Sequence, residues 1–131
     1  MKRSRYQTLA AVALLALLGG CATAGNERMK DQTQASMAQQ LTEGKTTKSE
    51  VIPALGNADN VSFTDSGNEI WTYRYSRATP HAQNFIPVVS LFSRGADVKT
   101  KEVVILFNKD GIVSKYTMRE TENSVKSGLA Q

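Results

Sequence analysis

The sequence has one cysteine and one histidine in 131 residues. A single thiol excludes an internal disulfide and any multi-cysteine metal site. A single imidazole argues against a histidine-rich metal centre or a catalytic triad. A concentrated basic surface is also missing. The formal charge is +4, but Lys2, Arg3 and Arg5 stand in the first five positions. Past residue 20, 13 basic residues face 12 acidic ones. Nucleic-acid binding needs a basic patch or stripe, and this chain does not offer one. No internal repeat occurs. The longest amino-terminal apolar run, Leu9–Leu18, has ten residues, whereas a membrane-spanning helix needs about 20.

That run has another reading. A positive start, an apolar stretch and small residues before a cleavage point define a secretory signal segment, assigned here to residues 1–20. It ends in Leu18-Gly19-Gly20-Cys21, which resembles the bacterial lipobox, a leucine and two small residues before the cysteine that accepts lipid. The resemblance implies a diacylated, palmitate-bearing Cys21 at a new, acylated amino terminus. The alternative is an ordinary signal peptide followed by a free thiol. Ala22 follows the cysteine where an aspartate would retain a lipoprotein at the inner membrane, a pattern similar to that of outer-membrane lipoproteins in Gram-negative bacteria. The expected location is the outer membrane, lipid-anchored and facing the periplasm.

Residues 21–33 are polar and lack an apolar period, so they read as a lipidated tether. Met37 and Leu41 suggest a short helix near 34–42, ended by Gly44. Thr47-Lys-Ser-Glu50 fits a capping box for a second helix, with Thr46 an equally good cap. Val51, Ile52 and Leu55 form its apolar face, Gly56 closes it, and Pro53 is expected to distort or shorten it. Strand signals follow at 61–64, 69–76, 102–108 and 112–118, with turns at Asp65–Asn68 and Asn108–Gly111. The expected architecture is α+β, with two short N-terminal helices packed on a three- to four-stranded antiparallel sheet over residues 34–122. Its expected core is Val51, Leu55, Trp71, Tyr73, Val103, Ile105, Phe107 and Ile112. Residues 123–131 read as a flexible tail.

Several of these residues recur together in a known family. Leu41-x-x-Gly44-Lys-Thr46, Val51-x-x-x-Leu55-Gly56, Trp71-Thr-Tyr73, the run Val103–Phe107 and Asp110-Gly111-Ile-Val113 resemble, in order and spacing, the SmpA/OmlA (BamE-like) outer-membrane lipoproteins. The match spans about residues 40–118 and the lipobox. Asn57-Ala58 stand where that family usually has a proline, and the link from Arg77 to Lys101 is longer and more apolar. The resemblance implies an α-α-β-β-β domain that contacts proteins and anionic lipid as an accessory subunit of β-barrel assembly.

Candidate contact residues are Arg74, Tyr75 and Arg77 on or beside the aromatic strand, for a carboxylate or a phosphate. Phe85, Ile86, Leu91 and Phe92 belong to an uncharged apolar stretch, Phe85–Phe92, inside an expected loop. That stretch is either a flap over the core or a contact with partner or bilayer. Trp71 and Tyr73 are expected to pack beneath the helices. Gly44-Lys45-Thr46 lacks the upstream glycine and strand of a phosphate loop, and Asn108-x-Asp110-Gly111 lacks the ligands of a calcium loop at Leu106 and Thr117. His81 reads as an exposed loop residue. No nucleophile–base pair, metal site or cofactor is expected beyond the lipid on Cys21. The sequence therefore points to a non-catalytic protein-binding subunit of an envelope complex, most concretely β-barrel assembly. The alternatives are a lipoprotein of a secretion or conjugation apparatus and a periplasmic enzyme inhibitor.

Overall fold

The computed structural model of this chain describes residues 22–89 and 93–128. The signal segment, Cys21, Leu91 and Phe92 lie outside the described residues. The element order is β1 (Ala22–Gly25), a 3₁₀ turn (Glu27–Met29), α1 (Gln34–Gln40), α2 (Lys48–Leu55), β2 (Asn60–Phe63), β3 (Glu69–Pro80), a second 3₁₀ turn (Ala82–Phe85), β4 (Arg94–Phe107) and β5 (Val113–Ser127). The fold is α+β, two helices with a five-stranded antiparallel sheet.

Local chemistry sets the helix ends. Thr33 and Ser36 cap α1 reciprocally, Ser36 N–H donating to Thr33 Oγ1 at 3.1 Å and Thr33 N–H to Ser36 Oγ at 2.9 Å. At α2, Glu50 reaches back to accept the Thr47 N–H at 2.8 Å, so Thr47 rather than Thr46 is the cap. Thr46 is buried in the preceding loop, where its hydroxyl accepts the Thr42 N–H at 2.8 Å. Pro53 brings no N–H for the Ser49 carbonyl. The helix continues only to Leu55, and Gly56 leaves it with φ +79°. From the N-terminal segment Arg28 Nη1 donates to the Pro53 carbonyl at 2.7 Å, satisfying one of the last-turn carbonyls that the helix itself leaves without a donor.

β3 and β4 pair without interruption from Glu69↔Phe107 to Pro80↔Ala96. β4 pairs β5 from Arg94↔Ser127 to Phe107↔Val113. The turn between β4 and β5 lies at Asn108–Gly111, as its residues predict, with Gly111 at φ +75°. The loop between the helices is sewn to this turn. Gly44 N–H donates to Val113 O at 2.8 Å, Val113 N–H to Thr46 O at 2.8 Å and Lys48 N–H to Gly111 O at 3.0 Å. The glycine and threonine that mimic a phosphate loop thus serve the helix–sheet junction.

One core joins helices and sheet: Met29, Met37, Leu41, Val51, Leu55, Trp71, Tyr73, Tyr75, Val103, Ile105, Phe107, Val113 and Met118. It contains seven of the eight expected members. The exception is Ile112, replaced by Val113. A bulge between Leu106 and Phe107 pairs Val113 with Phe107 and skips Ser114. One extra residue reverses which side faces inward.

Four expectations about organisation are corrected. The sheet has five strands, and the helices do not open the domain, because β1 and the first 3₁₀ turn precede them. Residues 22–33 are not a tether. β1 pairs with β3 from Ala22↔Ala78 to Gly25↔Tyr75, Met29 is wholly buried, and Lys101 Nζ donates to the carbonyls of Lys30 and Gln32 at 2.7 and 2.8 Å. Residues 123–127 belong to β5 rather than to a loose tail. The link between the central strands is shorter than expected, because β3 runs on to Pro80 and β4 begins at Arg94. In each case polar residues pair through backbone groups, which hydropathy patterning does not report.

Candidate functional site

Side chains alternate across a strand, so the register sorts the sheet into two faces. Odd-numbered residues of β3 and β4 face the helices: Trp71, Tyr73, Tyr75, Val103, Ile105 and Phe107 are all buried. Even-numbered residues form the opposite face, and no described helix covers it. Cross-strand partners order this face into rows. Ile70, Leu106 and Lys115 make one; Thr72, Val104 and Thr117 the next; then Arg74, Glu102 and Arg119; then Ser76, Thr100 and Thr121. The third row is cation–anion–cation across three strands, with hydroxyl-bearing residues on both sides of it.

Arg74 Nε and Nη2 both donate to Glu102 Oε2, at 3.1 and 2.5 Å. The Arg74 side chain remains 63% exposed and Glu102 27% exposed. A pair this exposed contributes at most about 1 kcal/mol to stability. Arg119 stands exposed beside Glu102 on β5. β1 and β2 share one edge of β3 and leave a notch between them at Arg74. There Asn26 N–H donates to the Arg74 carbonyl at 2.8 Å, and the Arg74 N–H donates to Asp59 Oδ2 at 2.6 Å. The notch opens into a depression of about 630 Å³ between Gly25, Asp59, Arg74 and Glu102. A second depression, of about 420 Å³, lies beside it between Arg74 and Arg119. The arrangement can engage a chain segment carrying groups of both signs, with hydroxyls to accept and donate around them.

The expected contact residues do not converge. Arg74 lies on the open face. Arg77 lies on the helix-side face, exposed past the end of the core and in register with Thr23 and Lys99. Tyr75 is not on the surface: it is 4% exposed, because alternation continues the Trp71–Tyr73 face into the core. Phe85 and Ile86 are exposed, at 68% and 51%, so the described part of the apolar stretch is no flap over the core. Asp59, Glu102 and Arg119 are site residues that sequence reasoning missed. Their only signal is the register, and the bulge and the 81–93 link conceal that register in the sequence.

His81 is not a free loop residue. Its Nε2 is 3.0 Å from Asp97 Oδ1, and this bond holds the Asp97 carboxyl below its usual range. The His81 ring also lies over Gly95, where a Cβ would come within 2.6 Å of Nδ1. At the opposite end, Glu69 accepts from Lys48 Nζ and from Trp71 Nε1. These bonds lower its pKa, that of Lys48 most. Tyr73 Oη donates to the Gly56 carbonyl at 3.1 Å. Burial, with Asp59 nearby as a smaller cause, pushes the phenol up to about 12. Both arrangements join α2 to the sheet. Among the described residues, no cluster of three His, Cys, Asp or Glu side chains is placed to hold a metal.

No family model, curated protein or solved structure matches this chain.

Proposed function

We propose that this protein is a non-catalytic outer-membrane lipoprotein with a periplasm-facing BamE-like domain. It serves as an accessory, scaffolding subunit of an envelope complex, most concretely the one that assembles β-barrel proteins. The observation that carries the reading is the uncovered sheet face with its Arg74–Glu102–Arg119 row. A sheet face that no described helix covers, with an exposed ion pair of little structural value at its centre, is suited to a protein partner. The lipobox resemblance at Cys21 supports the anchored location. The succession of two helices, the antiparallel strands β3–β5 and the Asn108–Gly111 turn supports the resemblance, while β1 ahead of the helices and the fifth strand depart from the α-α-β-β-β order it implies. Anchoring raises the effective concentration of a membrane-bound partner, so modest contacts suffice.

The test is crosslinking of the lipidated protein in membranes, followed by affinity purification and mass spectrometry, for wild type and for Arg74→Glu with Arg119→Glu. Recovery of barrel-assembly subunits by wild type, reduced at least about tenfold by the charge reversals, is the expected result; a tenfold loss corresponds to about 1.4 kcal/mol. Recovery of secretion or conjugation components instead refutes the assembly role. Equal recovery by the charge-reversed protein refutes the open face as the docking site.

A further inference from the structure

The amino-terminal strand and the apolar link between β3 and β4 lie at one end of the sheet. β1 runs antiparallel to β3, so Ala22, the residue bonded to Cys21, is in register with Ala78. Two residues later β3 ends at Pro80, and the chain enters the 3₁₀ turn Ala82–Phe85. That turn is tied down from β4. His81 N–H donates to Gly95 O at 2.9 Å, Asn84 Nδ2 to the same carbonyl at 2.6 Å, and Gly95 N–H to Asn84 Oδ1 at 2.9 Å. Just beyond this fixed base, Phe85, Ile86, Val88 and Val89 are 68, 51, 68 and 40% exposed. They account for half of the exposed large hydrophobic side chains among the described residues. Clustered exposed apolar side chains mark a contact surface.

Charge selects the kind of contact. From Arg77 to Ala96 the chain contains no acidic residue, and Asp97, the first, is bonded to His81. Arg77, Arg94 and Lys126 are all exposed at this end. Apolar side chains at the tip with cations behind them match the layering of a bilayer surface, acyl chains first and anionic headgroups above.

We infer that Phe85, Ile86, Val88 and Val89 enter the interfacial region of the bilayer that holds Cys21. They form a second, shallow membrane contact that stands the sheet upright on the membrane. The inference rests on the lipid-anchor reading of Cys21. The several acyl chains of that anchor suffice for stable attachment, so the shallow apolar tip contributes orientation rather than retention. The Asn68 end of the sheet, with Phe63 70% exposed, then lies away from the lipid. Eleven strand steps separate Glu69 from Pro80, about 35 Å.

The test uses the full lipidated protein in vesicles of phosphatidylethanolamine and phosphatidylglycerol with brominated acyl chains, which quench nearby indoles. Phe85→Trp and, separately, Val88→Trp report the tip, and Phe63→Trp reports the far end. Wild type supplies the signal of Trp71, the sole native indole. All three positions are well exposed, so a larger ring disturbs no core, and two tip variants guard against failure of one. Added tip emission falling roughly twofold, with the Phe63→Trp emission unchanged, is the expected result. Unquenched tip indoles on protein that stays with the vesicles overturn the inference while leaving the anchor intact, and assign the apolar tip to a protein partner. Quenching at Phe63→Trp instead overturns the orientation. An intact mass showing no lipid on Cys21 refutes the anchor reading itself, and the inference falls with it.

Discussion

Replacing Met29 with alanine asks whether residues 22–33 belong to the domain. A tether residue is replaceable at a cost within about 0.5 kcal/mol. Met29 is instead fully buried, in one core cluster with Val51, Leu55 and Tyr75, on a 3₁₀ turn that contacts β3 and α2. Truncating a buried methionine to alanine costs about 2–5 kcal/mol through lost transfer energy and the cavity left behind. The turn is a short surface element and relaxes more easily than a central strand, so the lower half of that range, about 3 kcal/mol, is expected. For a domain near 100 residues this lowers Tm by about 10–20 °C, a large share of a total stability of about 5–15 kcal/mol. Urea unfolding followed by Trp71 fluorescence measures it. The midpoint should fall with the slope unchanged. Asn26→Ala should add a smaller loss of about 1 kcal/mol, since Asn26 Nδ2 donates to the Leu55 carbonyl at the end of α2 at 2.6 Å. A Met29→Ala midpoint indistinguishable from wild type refutes the docked segment and restores the tether.

Gly25→Ala should be worse than a normal surface change. At φ +92° its new Cβ would come within 2.1 Å of the Arg74 carbonyl oxygen, so β1 must leave β3 or shift. A loss of more than about 1 kcal/mol and faster amide exchange at Thr23 and Arg77 are expected; an unchanged exchange pattern counts against the pairing. Tyr73→Phe removes the donor to the Gly56 carbonyl and should cost about 1–2 kcal/mol by urea unfolding, with no loss if that hydroxyl bond is unimportant. Glu69 has a lowered folded pKa, so its contribution is present above the unfolded value of about 4.3 and is lost as pH falls through the folded value. The midpoint difference between wild type and Glu69→Gln should therefore be full at neutral pH and vanish in strong acid; a difference independent of pH refutes the Lys48–Glu69–Trp71 arrangement.

The legible parts of the fold are those whose signals are local. Thr47 and Glu50, the Asp65–Asn68 and Asn108–Gly111 turns, and the alternation of Trp71, Tyr73, Val103, Ile105 and Phe107 each announce themselves within a few residues. The parts not legible depend on partners distant in sequence. β1 is Ala-Thr-Ala-Gly, exposed along its length and with no apolar pattern, and it is a strand only because the edge of β3 is there to receive it. The outer ends of β4 and β5 hold each other in register although little there is buried. Ile112 and Val113 exchange places through one bulge. The site suffers most. Arg74 is visible as a charge on a strand, but its meaning lies in Glu102, 28 residues on, and in Arg119, 17 beyond that.

Folding of residues 22–33 changes what an anchor does for the open face. A flexible linker of some 13 residues has a mean reach of about 20 Å and no orientation. It raises local concentration and nothing more. With β1 paired to β3, the proposed attachment at Cys21 would instead act through a strand, and the domain's axes would be tied to the point of attachment. Arg74 lies six residues before the Pro80 end of β3, so the Arg74–Glu102–Arg119 row sits about 20 Å along the strand from that end. On the proposed membrane-seated geometry, a partner meets this row at a fixed height and a fixed azimuth. Its docking segment then needs no search over a tethered domain's orientations, and the ordering entropy is lost when the chain folds rather than when the complex forms. An exposed ion pair that contributes little to stability suits that proposed role, in which it would select a partner by charge once the sheet has been set in place.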